Sequence, residues 1–409
     1  MNAICLAIDR LHCGYLGAYG NTWVDTPAFD QLATDSLVFD QAMIDTPKLN
    51  EFYRSLWRSG HALAGDTAGK TMIDMLSDAG IATALISDVP EVCNHPLADG
   101  FDYTVAIDPP WQTQMAEAGA FEETHLARCF VEITDWLRTA RGPFLLFCHI
   151  GSLGMIWDAP LEFRERFWDE GDPPPLETAD VPDCMLDADA DPDELLRYAQ
   201  AYAGQLSLFD TCLSALVEAI DEHPLGNDTL LALLGTRGFP MGEHLRLGPC
   251  DESLYAELVQ VPLLLRSRAT IADPARSQRL VEPADVAATL LTGCGCSVKL
   301  PNVGSSLLDA TGKEINGAPH DRIVAMGSEG ARAIRTPAWF LRCGPERGVG
   351  PVELYVKPDD RWEANNVAVR CGGVVEGLLD ALEQYERAAE NGTLHDLPPL
   401  EAVLVEGLE

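Results

Sequence analysis

Ala3-Ile4-Cys5-Leu6-Ala7-Ile8-Asp9-Arg10-Leu11 carries the reading of the fold. Ala3 to Ile8 form an apolar run of strand length without polar alternation, and such a strand belongs to a sheet covered on both faces. The runs Ala82 to Ile86, Phe144 to His149, Thr229 to Leu234 and Val261 to Leu265 read the same way. Between them, Thr26 to Ser36, Thr71 to Ala79, Phe121 to Ala140 and Asp193 to Asp221 keep helical period. This βαβα order predicts an α/β fold: a doubly wound, mostly parallel sheet with helices on both faces.

Beyond Pro319 the pattern changes to short strands over Arg322 to Met326, Ala331 to Arg335, Trp339 to Arg342 and Val352 to Val356, followed by one helix over Asn366 to Ala388. That order predicts a small C-terminal antiparallel α+β subdomain over 318–409, after an α/β core over 1–317. The acidic, Pro-rich stretch from Glu170 to Asp193 reads as a surface loop. Asp187, Asp189 and Asp191 are spaced as in a calcium loop, but Pro192 stands where that loop needs Gly and Tyr198 where it needs Glu.

The 409 residues contain 28 Lys and Arg against 64 Asp and Glu, a formal charge of -36. A surface this negative repels nucleic acid and anionic lipid at long range, so both are excluded as generic partners. Lys is confined to positions 48, 70, 299, 313 and 357, so cationic contacts fall to Arg, which favours planar, bidentate recognition. No apolar run reaches membrane-spanning length and no cationic leader precedes the first strand, which predicts a soluble, cytoplasmic protein. The 12 cysteines lie among apolar neighbours and read as free thiols of a reducing compartment, and Cys294-Gly295-Cys296 as a turn.

Asp9-Arg10, Leu16-Gly17-Ala18-Tyr19-Gly20-Asn21 and Thr26-Pro27-Ala28-Phe29-Asp30-Gln31-Leu32 together resemble the amino-terminal signature of sulfatases, a family of the alkaline phosphatase superfamily. Gly238, Gly242-Glu243-His244, Leu254-Tyr255 and Val261-Pro262-Leu263 are similar to the family's later core. Arg332 to Thr336, Trp339-Phe340-Leu341, Glu353-Leu354-Tyr355 and Asn365-Asn366 are similar to its carboxy-terminal subdomain. The resemblance implies an ester hydrolase with a formylglycine or Ser nucleophile in a Cys/Ser-x-Pro-x-Arg motif. Calcium or another divalent metal would stand beside it, with Lys and His to neutralise charge and move protons.

At the site itself this sequence departs from the family. Aligning Arg54 with the motif's Arg puts Asn50 at the nucleophile, and an amide cannot attack. Asp9 matches the first metal ligand, but Arg10 follows it, and Thr236-Arg237 replace later ligands. Asp9 is thus the only retained family ligand, and calcium wants six to eight oxygens. The family's Gly-Lys-Trp-His reads Ser87-Asp88-Val89-Pro90, and its Asp-Pro-His reads Ser152-Leu153-Gly154; His149 and Asp158 persist.

The resemblance with these losses implies a pseudoenzyme with a degenerate pocket of Asp9, Asn50, Arg54, His149 and His244, no assigned catalytic residue, and no metal or other cofactor. An Asp9 to Arg237 ion pair would fill the metal position. Arg10, Arg54 and Arg237 are the residues to converge on a small anion: sulfate, phosphate or a carboxylate. A competing enzyme reading is a sulfuric or phosphoric ester hydrolase, arylsulfatase-like, with His149 or His244 as a new base. A homo-oligomer or an interaction with another protein is the non-enzyme alternative. Ala64 to Thr71 satisfies a loose phosphate-loop pattern, but a helix or loop, not a buried strand, leads into it.

Overall fold

The computed structural model describes residues 2–65, 69–111, 120–269, 271, 274–296, 304–309, 312–315 and 320–408. Its main sheet comprises β1 (Asn2–Asp9), β2 (Leu37–Ala42), β3 (Ala82–Ser87), β4 (Tyr103–Ala106), β5 (Phe144–Ile150), β7 (Thr229–Arg237), β9 (Leu263–Arg266) and β10 (Ala275–Val281). β6 (Cys184–Met185) and β8 (Arg246–Leu247) form a separate ribbon. The order is β10-β2-β9-β7-β1-β5-β3-β4, and β9 alone runs antiparallel to its neighbours β7 and β2.

The helices of this part are α1 (Pro27–Thr34), α2 (Leu49–Arg58), α3 (Met72–Asp78), α4 (Pro90–Cys93), α5 (His125–Thr139), α6 (Leu161–Arg164), α7 (Pro192–Glu222), α8 (Ala256–Val259) and α9 (Pro283–Gly293). Ala3, Cys5 and Ala7 of β1 join Leu56, Trp57, Ile73 and Leu290, from α2, α3 and α9. Ile4, Leu6 and Ile8 join Phe29, Leu126, Leu206 and Phe209, from α1, α5 and α7. Both faces of the strand are covered, as its unalternated apolar run predicts. Each large apolar side chain so buried contributes on the order of 1.5–3 kcal/mol.

The last part of the chain adds β11 (Ile323–Met326), β12 (Arg332–Arg335), β13 (Trp339–Cys343) and β14 (Glu353–Val356), paired antiparallel in chain order, then α10 (Gly372–Asn391) and α11 (Ala402–Glu406). Ile323, Ala325, Ala333, Phe340 and Tyr355 face the main core, whereas Val324, Ile334, Leu341 and Leu354 pack on Leu378, Leu382 and Tyr385 of α10. Strand alternation therefore fastens this small sheet to the main one. The closing helix starts at Gly372, not at the expected Asn366, because the Asn366 side chain accepts from the Leu354 and Ala368 amides and holds a turn there. Among the described residues no helix is long and apolar enough to cross a membrane, and the cysteines are free.

Candidate functional site

Parallel pairing brings the carboxyl ends of β1, β3, β5 and β7 together, the edge where open α/β sheets carry their sites. His149 lies level with Ala7 on one side and Ser87 on the other. Ile8 pairs with Gly235 and Asp9 with Arg237, so Thr236 is an extra residue in a bulge that re-aims the end of β7.

Arg237 uses that placement to grip Asp9. Its Nε donates to Asp9 Oδ1 at 2.8 Å and its Nη2 to Oδ2 at 2.5 Å, while Thr236 Oγ1 donates to Oδ1 at 2.9 Å. Asp9 is only 4% exposed. Burial alone would push its pKa up, but the Arg237 guanidinium, helped by Arg10, overrides it and holds the carboxyl well below the usual carboxylate range.

Arg10 adopts φ +62°, a left-handed conformation costly for a residue with Cβ. Tyr202 secures it: the buried hydroxyl donates to Arg10 O at 2.6 Å and accepts from His12 N at 3.0 Å. Gly154 gives the side chain room, since a Cβ there would come within 2.6 Å of Arg10 Cγ. Arg10 Nη1 and Nη2 then donate to Asp251 Oδ1 and Oδ2 at 2.6 and 2.9 Å, and Arg237 Nη1 reaches the same Oδ2 at 3.1 Å. The result is a chain of alternating charge, Asp9–Arg237–Asp251–Arg10, in which neither guanidinium stands free.

Of the arginines expected to converge, Arg10 and Arg237 meet and Arg54 does not. Its Nη1 and Nη2 donate to the carbonyls of Ala64 and Ala62, at 2.6 Å each, and tie down the turn after α2. Asn50 is exposed on the first turn of α2. His244 is engaged elsewhere: it stacks on Tyr255 with ring centroids 3.5 Å apart, shares a hydrogen bond with Glu257 at 2.8 Å, and lies 3.2 Å from Glu363 O. Burial disfavours charge on that ring, but Glu257 outweighs it and the pKa is raised. The buried thiols of Cys13 and Cys148 are pushed up by burial, which keeps both protonated and inert.

His149 is fully buried, with Nδ1 2.5 Å from Tyr53 Oη and Nε2 without a hydrogen-bond partner. Burial lowers its pKa to about 4 against an ordinary value near 6.5, so it stays neutral in the fold. Between those values the unfolded chain takes up a proton that the folded chain refuses. His149 should therefore cost about 3 kcal/mol of stability as pH falls from about 6.5 to about 4. Urea midpoints across that window should fall steeply in the wild type and less so in His149→Asn; parallel curves would refute this assignment.

Three of these partners escape sequence reasoning. Asp251 is one carboxylate among 64 acidic residues; the signal pointing to it is indirect, two arginines at the strand ends needing more negative charge than Asp9 supplies. Tyr53 stands between Asn50 and Arg54 at an apolar position of an amphipathic helix, where its spacing reads as core and does not point to a site. Asp88 is turned to His125 and Cys129 of α5, 37 and 41 residues away in sequence. Part of the phosphate-loop pattern, 66–68, lies outside the described residues; α2 and a turn, not a strand, precede it.

The family's calcium does not fit these residues. Both Asp9 oxygens already accept from Arg237, and Arg10 Nε stands 3.8 Å from Oδ2. A divalent cation would have to enter between two guanidinium groups.

A family model described as Sulfatase matches residues 1–295, from β1 through α9. Iduronate 2-sulfatase of Homo sapiens is 23% identical over 309 residues, 60% of this chain. The chain spans 56% of the length of that curated relative. Phosphonate monoester hydrolase of Agrobacterium radiobacter superposes with a TM-score of 0.74 at 17% identity, over 95% of each chain. A protein solved with its substrate D-glucosamine-2-N,6-O-disulfate superposes with a TM-score of 0.74 at 16% identity, over 97% of this chain and 99% of the other. The two superpositions share the fold alone, but the family match covers most of the chain and takes in Asp9, His149, Arg237 and Asp251: this protein belongs to the sulfatase family.

Proposed function

We propose that this chain is a pseudoenzyme of its family, silent in ester hydrolysis, that binds a small anion through Arg10 and Arg237. The observation that carries the reading is the saturation of Asp9: Thr236 and Arg237 take both carboxylate oxygens. Aligning Arg54 with the motif's Arg puts the nucleophile position on Asn50, an exposed amide that cannot attack, and this supports the same reading. Asp251 supports the second half. It accepts two parallel bonds from Arg10 and a third from Arg237, as sulfate, phosphate or a ligand carboxylate would, and its side chain is 33% exposed, within reach of exchange with solvent. Arg54, held by carbonyls, takes no part. A rebuilt hydrolase with His149 as base is disfavoured by burial of the ring and by the Tyr53 hydroxyl on Nδ1.

The test is calorimetric titration with sulfate, phosphate and acetate, beside a panel of arylsulfates and phosphate esters. No ester should turn over. Asp251→Ala removes the resident carboxylate and should tighten anion binding by about ten- to a hundredfold, the equivalent of one charged hydrogen-bonded pair; Arg10→Gln in that background should abolish the gain. Wild-type turnover lost in Arg237→Gln would overturn the pseudoenzyme reading, and equal anion affinity with and without Asp251 would overturn the anion site.

A further inference from the structure

We infer that Asp88, His125 and Cys129 form a zinc site. Asp88 immediately follows β3, and His125 and Cys129 stand four residues apart on the first turns of α5, hence on one helix face. The three are buried, and their ligand atoms all lie within 4.8 Å of one another. Asp88 Oδ2 is 3.0 Å from His125 Nε2 and 3.6 Å from Cys129 Sγ, and Nε2 is 3.7 Å from Sγ. A tetrahedral zinc with bonds of about 2.0 Å to O and N and about 2.3 Å to S has ligand-to-ligand edges of roughly 3.3, 3.5 and 3.5 Å. The observed triangle therefore approximates one face of a zinc tetrahedron, with no edge out by more than about 0.3 Å.

The donor set selects the metal. One carboxylate, one imidazole and one thiolate suit zinc and fit neither calcium nor magnesium, which take oxygen. Outer contacts already orient the ligands: Gly151 N donates to Asp88 Oδ1 at 2.7 Å, and His125 N to Asp158 Oδ2 at 2.6 Å. Gly151 lies between His149 and Ser152, whose Nε2 and Oγ are buried without hydrogen-bond partners. Three protein ligands leave the fourth corner of the tetrahedron to a water. None of the three ligands is Asp9, so the site stands apart from the family's metal position and its existence does not depend on the pseudoenzyme reading.

Without metal, the His125 ring and the Cys129 thiol both donate to Asp88. Binding zinc releases the thiol proton to solvent and moves the imidazole proton from Nε2 to Nδ1.

The experiment uses the full chain, stripped with a chelator, reloaded with Zn²⁺ and freed of excess, with bound metal counted by mass spectrometry. Wild type should retain about one zinc per chain, and Cys129→Ser should weaken binding more than about a hundredfold, beyond what loss of an outer contact alone does. Cobalt loading should give a thiolate-to-metal charge-transfer band in the wild type and none in Cys129→Ser. Asp9→Asn should keep both zinc and band, whereas His125→Gln, which can still hydrogen-bond Asp88, should lose both. Circular dichroism of each variant checks that it is folded. Absence of bound zinc, zinc retained equally in Cys129→Ser, or zinc lost in Asp9→Asn alone would overturn the assignment.

Discussion

Arg237→Ala is expected to lower the unfolding free energy by about 3–5 kcal/mol, the cost of breaking a buried ion pair from one side. The deletion leaves Asp9 with only the Thr236 hydroxyl and the more distant Arg10 Nε. The replacement pair Asp9→Asn with Arg237→Gln removes both charges and keeps two hydrogen-bonding amides, so it should recover most of the loss. The pH dependence carries a definite sign. Because the folded Asp9 pKa is depressed, its stabilising share is present above the unfolded value near 4 and is lost as pH falls through the lower folded value. In Arg237→Ala the burial of Asp9 is no longer offset and its pKa rises, so the gap between variant and wild type should narrow on acidification. Urea denaturation at pH 7 and near pH 4 measures both effects. A variant within about 1 kcal/mol of wild type at pH 7 would place the pair among weak surface bridges.

Legibility followed burial. The central strands β1, β3, β5 and β7 could be read because both of their faces are covered and their apolar runs admit one interpretation. β10, Ala-Arg-Ser-Gln-Arg-Leu-Val, escaped because it is the sheet's edge strand and its first residues face solvent. α9 escaped although Glu282 and Asp285 form a capping box at its start, because its apolar residues follow one another with little periodicity. At the site, Asp9 and Arg237 could be paired from the strand pattern and the resemblance together, since adjacent strands bring their ends side by side. Arg54 could not be placed: whether a helical arginine reaches into a pocket or folds back on the carbonyls of its own turn depends on a loop path that no local pattern specifies. Asp251 was hidden for the same reason, in a loop after β8 joined to the site only through space.

Trp57→Ala is expected to cost about 3–5 kcal/mol, the range for truncating a large buried aromatic. The indole is fully buried and packs on Tyr53, His95, Phe101 and Phe147, with ring centroids 4.7, 5.2, 5.5 and 5.8 Å away. Leu49, Phe52, Tyr53, Leu56 and Trp57 line one face of α2, at the spacing of an amphipathic helix pressed into a core. Trp57 Nε1 has no hydrogen-bond partner, so part of what the indole contributes by burial is offset by an unsatisfied N–H. Trp57→Phe gives up some area but also removes that N–H, and should therefore cost less than half as much as Trp57→Ala. The consequence reaches the site through Tyr53, whose ring rests on Trp57 and whose hydroxyl meets His149. A cavity at position 57 loosens that contact and admits solvent, so the His149 pKa should rise from about 4 toward its ordinary value in Trp57→Ala and stay low in Trp57→Phe. A nuclear magnetic resonance titration of the His149 ring reads this directly, and an unchanged titration in Trp57→Ala would show that β5, not the packing of α2, keeps the imidazole dry. Helix α2, with Asn50 exposed on its first turn, thus acts in this protein as a core helix, and the neutral state of His149 follows from how tightly that helix is packed.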